Sequence, residues 1–479
     1  MKQFPEIVAS YLKDFSSDKW SIELYDDRLF DNVIVIPAIA EYENIKALLV
    51  FLSGNDNSYL EKTLVLFVIN NPKSSPELVK EDNKRSIGFL KKLIYKTPDA
   101  NYKIITDSGM HIGLIDAASE GKEFDDNTGG VGLARKTGMD FALSVFNYNS
   151  PGKKIIISLD ADCKVEKNYL SAITEAFNNQ NLSAATAEFA HDIPGSDFTA
   201  QKTPASFKSI IYYESYLRYY VSGLHYAHSP FAYHTIGSTI ACDHQAYIKA
   251  GGMNKLKAAE DFYFLQKLAK VFNIHKINGT VVKPSARESW RVPFGTGKSM
   301  IKFRSAENMY KLYNPDVFRI LKDWLELFNS DSAQHTEKIL SSSKSIHPEL
   351  YNFLLYKKFP LVWEKILKSS RTEKQLIYQR KNWFDAFATL KLIHHLRDTA
   401  FPDIAFADAV YRLLEMLNTE KEINLKPGNM TPAPAKNNNV IDNTTMIQKY
   451  LRKLREAERS FADNISVSAS VEFTGNNKN

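Results

Sequence analysis

The sequence predicts an α/β protein, with a mostly parallel sheet over roughly residues 31–300 and a helical region after it. Two observations carry this. From Asn32 onward, short apolar runs rich in β-branched residues alternate with segments of helical spacing, and such alternation means parallel strands joined by right-handed crossovers. After about residue 300 the β-branched runs stop. Apolar residues then recur at helical spacing, as at Val317, Leu321, Trp324, Leu325 and Phe328, and later at Leu392, Ile393 and Leu396.

In order, residues 1–30 read as an N-terminal helical extension, with a short helix from Ile7 to Phe15. Asn32 to Glu41 is a buried strand interrupted by Pro37, and Ile45, Leu48, Leu49 and Leu52 mark the following helix. Thr63 to Asn70 is a second strand, ended by the turn signal Asn70-Asn71-Pro72. Ile87 to Tyr95 is an amphipathic helix, and Tyr102 to Thr106 a third short strand. Gly129-Gly-Val-Gly-Leu-Ala-Arg-Lys136 opens a helix running to about Phe146. Residues 154–159, with Ile155, Ile156, Ile157 and Leu159, form a strand suited to burial on both faces. A helix from Tyr169 to Phe177 and a strand from Leu182 to Phe189 follow.

Gly237 to Cys242 reads as a strand and Asp243 to Ala250 as a short helix closed by Gly251-Gly252. The helix from Ala258 to Ala269 carries Glu260 and Asp261 in its first turn, and Ile274 to Val282 completes the sheet. Residues 301–420 read as a helical domain, 421–445 as a Pro- and Asn-rich linker, 446–464 as a basic amphipathic helix and 465–479 as a disordered tail.

Composition narrows the function. The chain has 479 residues, long enough for two or three domains, and 44% of them are hydrophobic. Its 61 basic and 55 acidic residues leave a mild net charge of +6, which does not call for a nucleic-acid partner. Two cysteines, Cys163 and Cys242, exclude a disulfide framework or a cysteine metal site and fit a cytoplasmic setting. No leader is expected at the N-terminus, and no apolar run approaches the about 18 residues of a spanning helix. The C-terminal basic helix has a face, Ile447, Leu451, Leu454 and Phe461, that suits the inner surface of a membrane, a partner helix, or its own domain.

The chemistry centres on Asp160-Ala-Asp162, at the carboxyl end of the strand 154–159. Open α/β sheets bind ligands at that end. Residues i and i+2 of extended chain point the same way, so both carboxylates can reach one hard cation. An ordinary turn after a buried strand accounts for the pair as well. Glu260-Asp261 admits two readings: carboxylates at a helix N-terminus, where they cap it electrostatically, or a general base. Arg287, Arg291 and Lys298 form a basic loop suited to phosphate oxygens or simply to solvent. Gly295-Thr-Gly-Lys-Ser299 is not a P-loop, because Val292 stands where the pattern needs glycine.

The order of these parts resembles the GT-A fold glycosyltransferases, family 2 in particular, over roughly residues 31–300. The residues that carry it are Val33 to Ile45, Asp160-Ala-Asp162, Gly237 to Cys242 with Gly251-Gly252, and Glu260-Asp261. The resemblance implies an inverting transfer of a sugar from a nucleotide-diphosphate donor, UDP- or GDP-linked, to an acceptor hydroxyl on a glycan, lipid or small molecule. It implies Pro37 and Glu41 in the loop that holds base and ribose, and Arg135 or Lys136 near the nucleotide. It implies Mg²⁺ or Mn²⁺ held by Asp162 and less directly by Asp160, with Asp261 as general base beside Glu260. Arg287 and Arg291 would close over the diphosphate.

The chain departs from the family's pattern in places. Asn70-Asn71 stands where an Asp pair is common, keeping hydrogen bonding but losing charge, and Arg287-Glu-Ser-Trp-Arg291 matches the usual Q-x-x-R-W only in part. His244 and His275 are both available as a third metal ligand. The aromatic stretch 209–233 suits either acceptor contacts or core packing. A nucleotidyltransferase of similar fold is the main rival, although Ala38-Ile-Ala-Glu-Tyr-Glu43 lacks the glycine-rich loop that class often carries after its first strand. A non-catalytic sugar-nucleotide-binding scaffold is the other.

Overall fold

A computed structural model describes residues 4–15, 19–97, 102–192, 205–285, 311–420 and 443–472. The elements are α1 (Glu6–Phe15), β1 (Ile22–Glu23), β2 (Asn32–Ala38), α2 (Tyr42–Ser53), α3 (Asn57–Leu60), β3 (Thr63–Asn70), α4 (Glu77–Ile94), α5 (Lys103–Thr106), β4 (His111–Ala117), α6 (Val131–Ala142), β5 (Ile155–Ser158), β6 (Lys164–Val165), α7 (Tyr169–Asn179), β7 (Ala184–Phe189), α8 (Ala205–Tyr226), β8 (Ile240–Asp243), α9 (His244–Lys249), α10 (Glu260–Val271) and β9 (Ile274–Lys283). Beyond these come β10 (Lys311–Leu312), α11 (Asp316–Asn329), α12 (Thr336–Ile346), α13 (Pro348–Tyr356), α14 (Phe359–Ser369), α15 (Glu373–Trp383), α16 (Ala386–Thr399), β11 (Ile404–Ala405), α17 (Phe406–Thr419) and α18 (Asn443–Glu472).

The chain divides into two compact units, residues 1–192 with 235–298 and residues 193–234 with 299–479. The domain expected as one continuous stretch at 31–300 is therefore interrupted: the aromatic segment leaves it and joins the helical unit.

The first unit is built on a nine-stranded sheet of order β1-β4-β3-β2-β5-β8-β7-β9-β6. Its long ladders are parallel, β4 to β3 to β2 to β5 and β7 to β9, so the sheet is mostly parallel. β8 runs antiparallel between β5 and β7. Every residue of β2 and β3 is buried, as expected of strands covered on both faces. Ile34, Ile36, Phe67, Ile157 and Leu159 pack with α2, α4 and α7 on one side. On the other side α6 packs against β2 and β3. Pro37 sits inside β2 without cost to the ladder. Val35 C=O, two residues earlier, accepts from Leu159 N at 3.1 Å, and the β5 ladder ends at Ser158. The missing proline N–H thus faces a side where no partner strand remains.

Two local expectations fail. Residues 103–106 form a helical turn rather than a strand, and the strand is 111–117. Gly113 interrupts that apolar run and hides it; a Cβ there would meet Leu24, Leu64 and Leu66 at 2.9–3.2 Å. The N-terminal segment is not purely helical, because Ile22-Glu23 adds an antiparallel edge strand to β4.

In the second unit, Trp324, Phe328, Phe359 and Trp363 form an aromatic core with centroids 4.8–6.2 Å apart. The aromatic row of α8 is also core: Tyr212 packs on Phe406 and Tyr219 on Phe318. α18 begins at Asn443, inside the expected linker, and continues past the expected end of the basic helix. Its apolar face is covered by its own unit. Ile447, Leu451 and Leu454 are buried, and the helix packs on α8 and α17. Buried Glu458 pairs with Arg218 and lies 2.8 Å from His234. Arg218 also pairs with Glu214 at 2.8 Å, as does Arg455 at 2.7 Å. The face considered for a membrane or partner helix is thus consumed by the chain itself. No helix of the described residues is long and apolar enough to cross a membrane.

Candidate active site

The end of β5 fixes the site. Ile155, Ile156 and Ile157 are buried among neighbouring strands, so the chain leaves the sheet at Ser158 with its next polar residues at the strand's carboxyl end. Asp160 and Asp162 are partly exposed there, and Cys163 N closes a turn onto Asp160 C=O at 3.1 Å. One ligand atom each from Asp160, Asp162 and Cys163 lie within 4.8 Å of one another. Two carboxylate oxygens suit a hard cation such as Mg²⁺ or Mn²⁺. The Cys163 thiol does not: it is buried, and burial together with the nearby Asp160 and Asp162 charges pushes its pKa well up, so it stays protonated. The fit to a divalent cation rests on the carboxylates.

Arg135 organises the rest. It lies on α6 and is only 3% exposed. Its guanidinium donates to Ser158 Oγ at 2.5 Å and to Asp160 Oδ1 at 2.6 Å, while its Nε is 3.3 Å from Glu260 Oε1. A planar fork suits this bridging task, which the point charge of a lysine would not reproduce. Its neighbour Lys136 turns the other way, into a buried cluster with Asp140 at 2.8 Å and Tyr11 OH at 3.1 Å. The glycine-rich start of α6 is likewise covered: a Cβ at Gly132 would collide with the Leu256 carbonyl. Arg135 and Lys136, of which one was expected near the nucleotide, both pair with the protein's own carboxylates.

Glu260 and Asp261 open α10 directly after Ala259, which is held in the left-handed region at φ 59°. A non-glycine residue there stores strain, a feature that clusters at functional sites. Glu260 is buried, and its carboxyl is pushed up to about 7, first by burial and partly offset by Arg135, with Asp261 adding to the rise. Asp261 keeps part of its surface open. Its pKa is raised too, by burial of its carboxyl among protein atoms, while Arg135 and main-chain hydrogen bonds from Phe262 and Gly237 hold it down. Asp160 contributes to the rise at both residues. The D-x-D and E-D carboxylates therefore sense one another around a single buried guanidinium.

Gly237 belongs to this arrangement. It lies in a 3₁₀ turn, Gly237–Thr239, where a strand was expected; the strand begins at Ile240. A Cβ at Gly237 would stand 2.5–2.8 Å from the Arg135 guanidinium. Because β8 is antiparallel to β5, this turn lies beside the carboxyl end of β5 rather than at the opposite edge. Sequence reading did not single out Ser158 as a partner of Arg135, nor Gly237 as the residue that makes room for it. Gly237 at the head of the segment Gly237 to Cys242 was the available signal.

The loop after β2 is held rigidly. Ala40 N donates to Asn83 Oδ1 at 2.9 Å, and Tyr42 N to Asp82 Oδ1 at 3.0 Å. Pro37 is buried in β2, and Glu41, also buried, accepts from Asn44 Nδ2 at 2.5 Å. Asn70 is 4% exposed and donates to the carbonyls of Ala38 and Val68 at 3.1 Å each. Its amide thus braces the loop. Neither histidine reaches the D-x-D. His244 N bonds to Lys154 C=O at the other end of β5, about 20 Å along the strand from Asp160. His275 pairs with Ala185, three strands across from β5. Arg287, Arg291 and Lys298 lie outside the described residues.

No protein-family model matches the chain, and no curated protein matches it. Among solved structures, S. aureus TarS 1–349 in complex with UDP-GlcNAc is 14% identical, over 73% of this chain and 89% of that one, with a TM-score of 0.34. The mannosyltransferase PcManGT from Pyrobaculum calidifontis in complex with GDP-Man and Mn²⁺ is 12% identical over 94% and 91%, with a TM-score of 0.33. Likeness at that level leaves the assignment to the site's own residues.

Proposed function

We propose that this chain is an inverting, metal-dependent glycosyltransferase of GT-A, family 2 type, using a UDP- or GDP-sugar. The observation that carries the reading is the convergence of Asp160 and Glu260 on Arg135, which gathers an acidic pair at a strand end and an acidic pair at a helix start into one cluster. Asp162, and less directly Asp160, would hold the divalent cation. Such a cation, when bound, offsets the charge that develops on the leaving diphosphate.

Asp261 takes the proton from the acceptor hydroxyl: it is the residue of its pair that stays part-exposed, and its pKa is raised, which makes its carboxylate a stronger base than a free one. The hydroxyl attacks the anomeric carbon opposite the leaving diphosphate, and the configuration inverts. Glu260, buried against Arg135, positions that guanidinium. Pro37, Glu41 and Asn70 shape the loop expected to meet the nucleotide, and Arg287 and Arg291 would meet the diphosphate. Free, buried Cys163 and Cys242 fit work in the cytoplasm.

A panel of UDP- and GDP-sugars with Mn²⁺ or Mg²⁺ tests this by thermal shift and by release of nucleoside diphosphate. Stabilisation by one nucleotide, dependent on metal and lost in Asp162→Asn, is the expected result. No nucleotide-diphosphate binding with either metal would sink the reading. Release of pyrophosphate from a nucleoside triphosphate would favour the nucleotidyltransferase instead.

A further inference from the structure

α13, α14 and α15 carry an apolar and strongly basic surface for which the site has no use. Tyr356 is 81% exposed, Leu361 66%, Ile377 46% and Tyr378 47%. α15 buries no residue at all. Large apolar side chains scattered singly over a surface need no explanation, but these fall on consecutive short helices, and α14 touches both α13 and α15.

Charge follows the same stretch. Residues 355–383 hold eight Lys or Arg against two Glu, a surplus equal to the +6 of the whole chain, so the remaining residues are balanced. Lys358, Lys365, Lys368, Arg371 and Lys374 are exposed and take part in none of the ion pairs among the described residues. On α14, Leu361, Lys365 and Lys368 recur at helical spacing and share a face; on α15, Lys374 and Tyr378 do the same. Beneath them Phe359 and Trp363 are fully buried against Trp324 and Phe328, so the surface rests on a packed floor.

The geometry points to a docking surface for an anionic lipid bilayer. A bilayer interface accepts both parts of the patch: aliphatic and aromatic side chains enter below the headgroups, while lysine stems run along them to anionic phosphates. Nucleic acid would use the cations and leave Leu361, Val362 and Ile377 without an apolar partner. A second copy would bring one basic patch against another.

Flotation of the full chain with vesicles of phosphatidylcholine, alone or with about 30% phosphatidylglycerol, is the test. We expect partition onto the anionic vesicles, weakened at high salt. Leu361→Glu with Val362→Glu, and separately Lys365→Glu with Lys368→Glu, should each cut it about tenfold, with Tm and nucleotide-sugar turnover unchanged. The assignment is overturned if the wild type ignores anionic vesicles or if both variants bind as it does. Tighter binding to a short DNA duplex than to vesicles, or a dimer abolished by the same variants, would overturn it equally.

Discussion

Arg135 Nη2 lies 2.6 Å from Asp160 Oδ1, and this pair is the buried pivot of the site. The arginine is enclosed and its partner partly open, so the ion pair faces protein on one side and the carboxyl edge of the sheet on the other.

Removing the guanidinium leaves Asp160 and Glu260 without their shared cation. Arg135→Met should destabilise the fold by about 3–5 kcal/mol, the range for breaking a buried ion pair from one side, read from urea unfolding midpoints. Arg135→Lys should recover stability in part but little turnover, because one ammonium cannot reach Ser158, Asp160 and Glu260 together. Wild-type stability in Arg135→Met would remove the pivot from the account.

Asp261→Asn keeps the shape of the helix start and deletes the proposed base. Turnover should fall about 10²–10⁴-fold, while the dissociation constant for the nucleotide donor stays within about twofold. Steady-state kinetics beside calorimetric titration separate the two. Intact turnover would move the base elsewhere.

Glu260 makes stability depend on pH. Its folded pKa of about 7 lies above the ordinary 4.5, so between those values the native state holds a proton that the unfolded state has released. Its stabilising contribution is complete below about pH 4.5 and is lost as pH rises through about 7. Glu260→Gln should flatten this part of the Tm profile between about pH 4.5 and 7. An unchanged slope would assign the proton to another group.

Gly237→Ala places a methyl group 2.5 Å from the Arg135 guanidinium. Overpacking of this kind costs about 1–3 kcal/mol. The expected variant folds with a lowered Tm and loses turnover out of proportion to that loss, since the displaced guanidinium carries Asp160 and Glu260 with it. Kinetics measured well below the lowered Tm would show it; turnover equal to wild type would mean the guanidinium does not set the site.

Much of the frame was legible in the sequence because burial on both faces leaves a continuous apolar run. Thr63–Asn70 and the Ile155–Ile157 run are read directly for that reason, and Asp160-Ala-Asp162 and Glu260-Asp261 stand out as acidic pairs at the ends of elements. The strand at 111–117 was hidden by Gly113, whose lack of a side chain weakens the apolar signal but is what the packing of Leu24, Leu64 and Leu66 requires. Tertiary structure alone decided which way neighbouring cations point: Arg135 and Lys136 are adjacent in sequence, and successive helical residues project about 100° apart, so one reaches the acidic cluster and the other Asp140. It also decided that Gly237 meets Arg135, because the antiparallel insertion of β8 beside β5 reverses which end of that strand lies at the site. Local composition encodes burial and chain direction at each element; the partners that meet across about a hundred residues are set by strand order, which no local pattern carries.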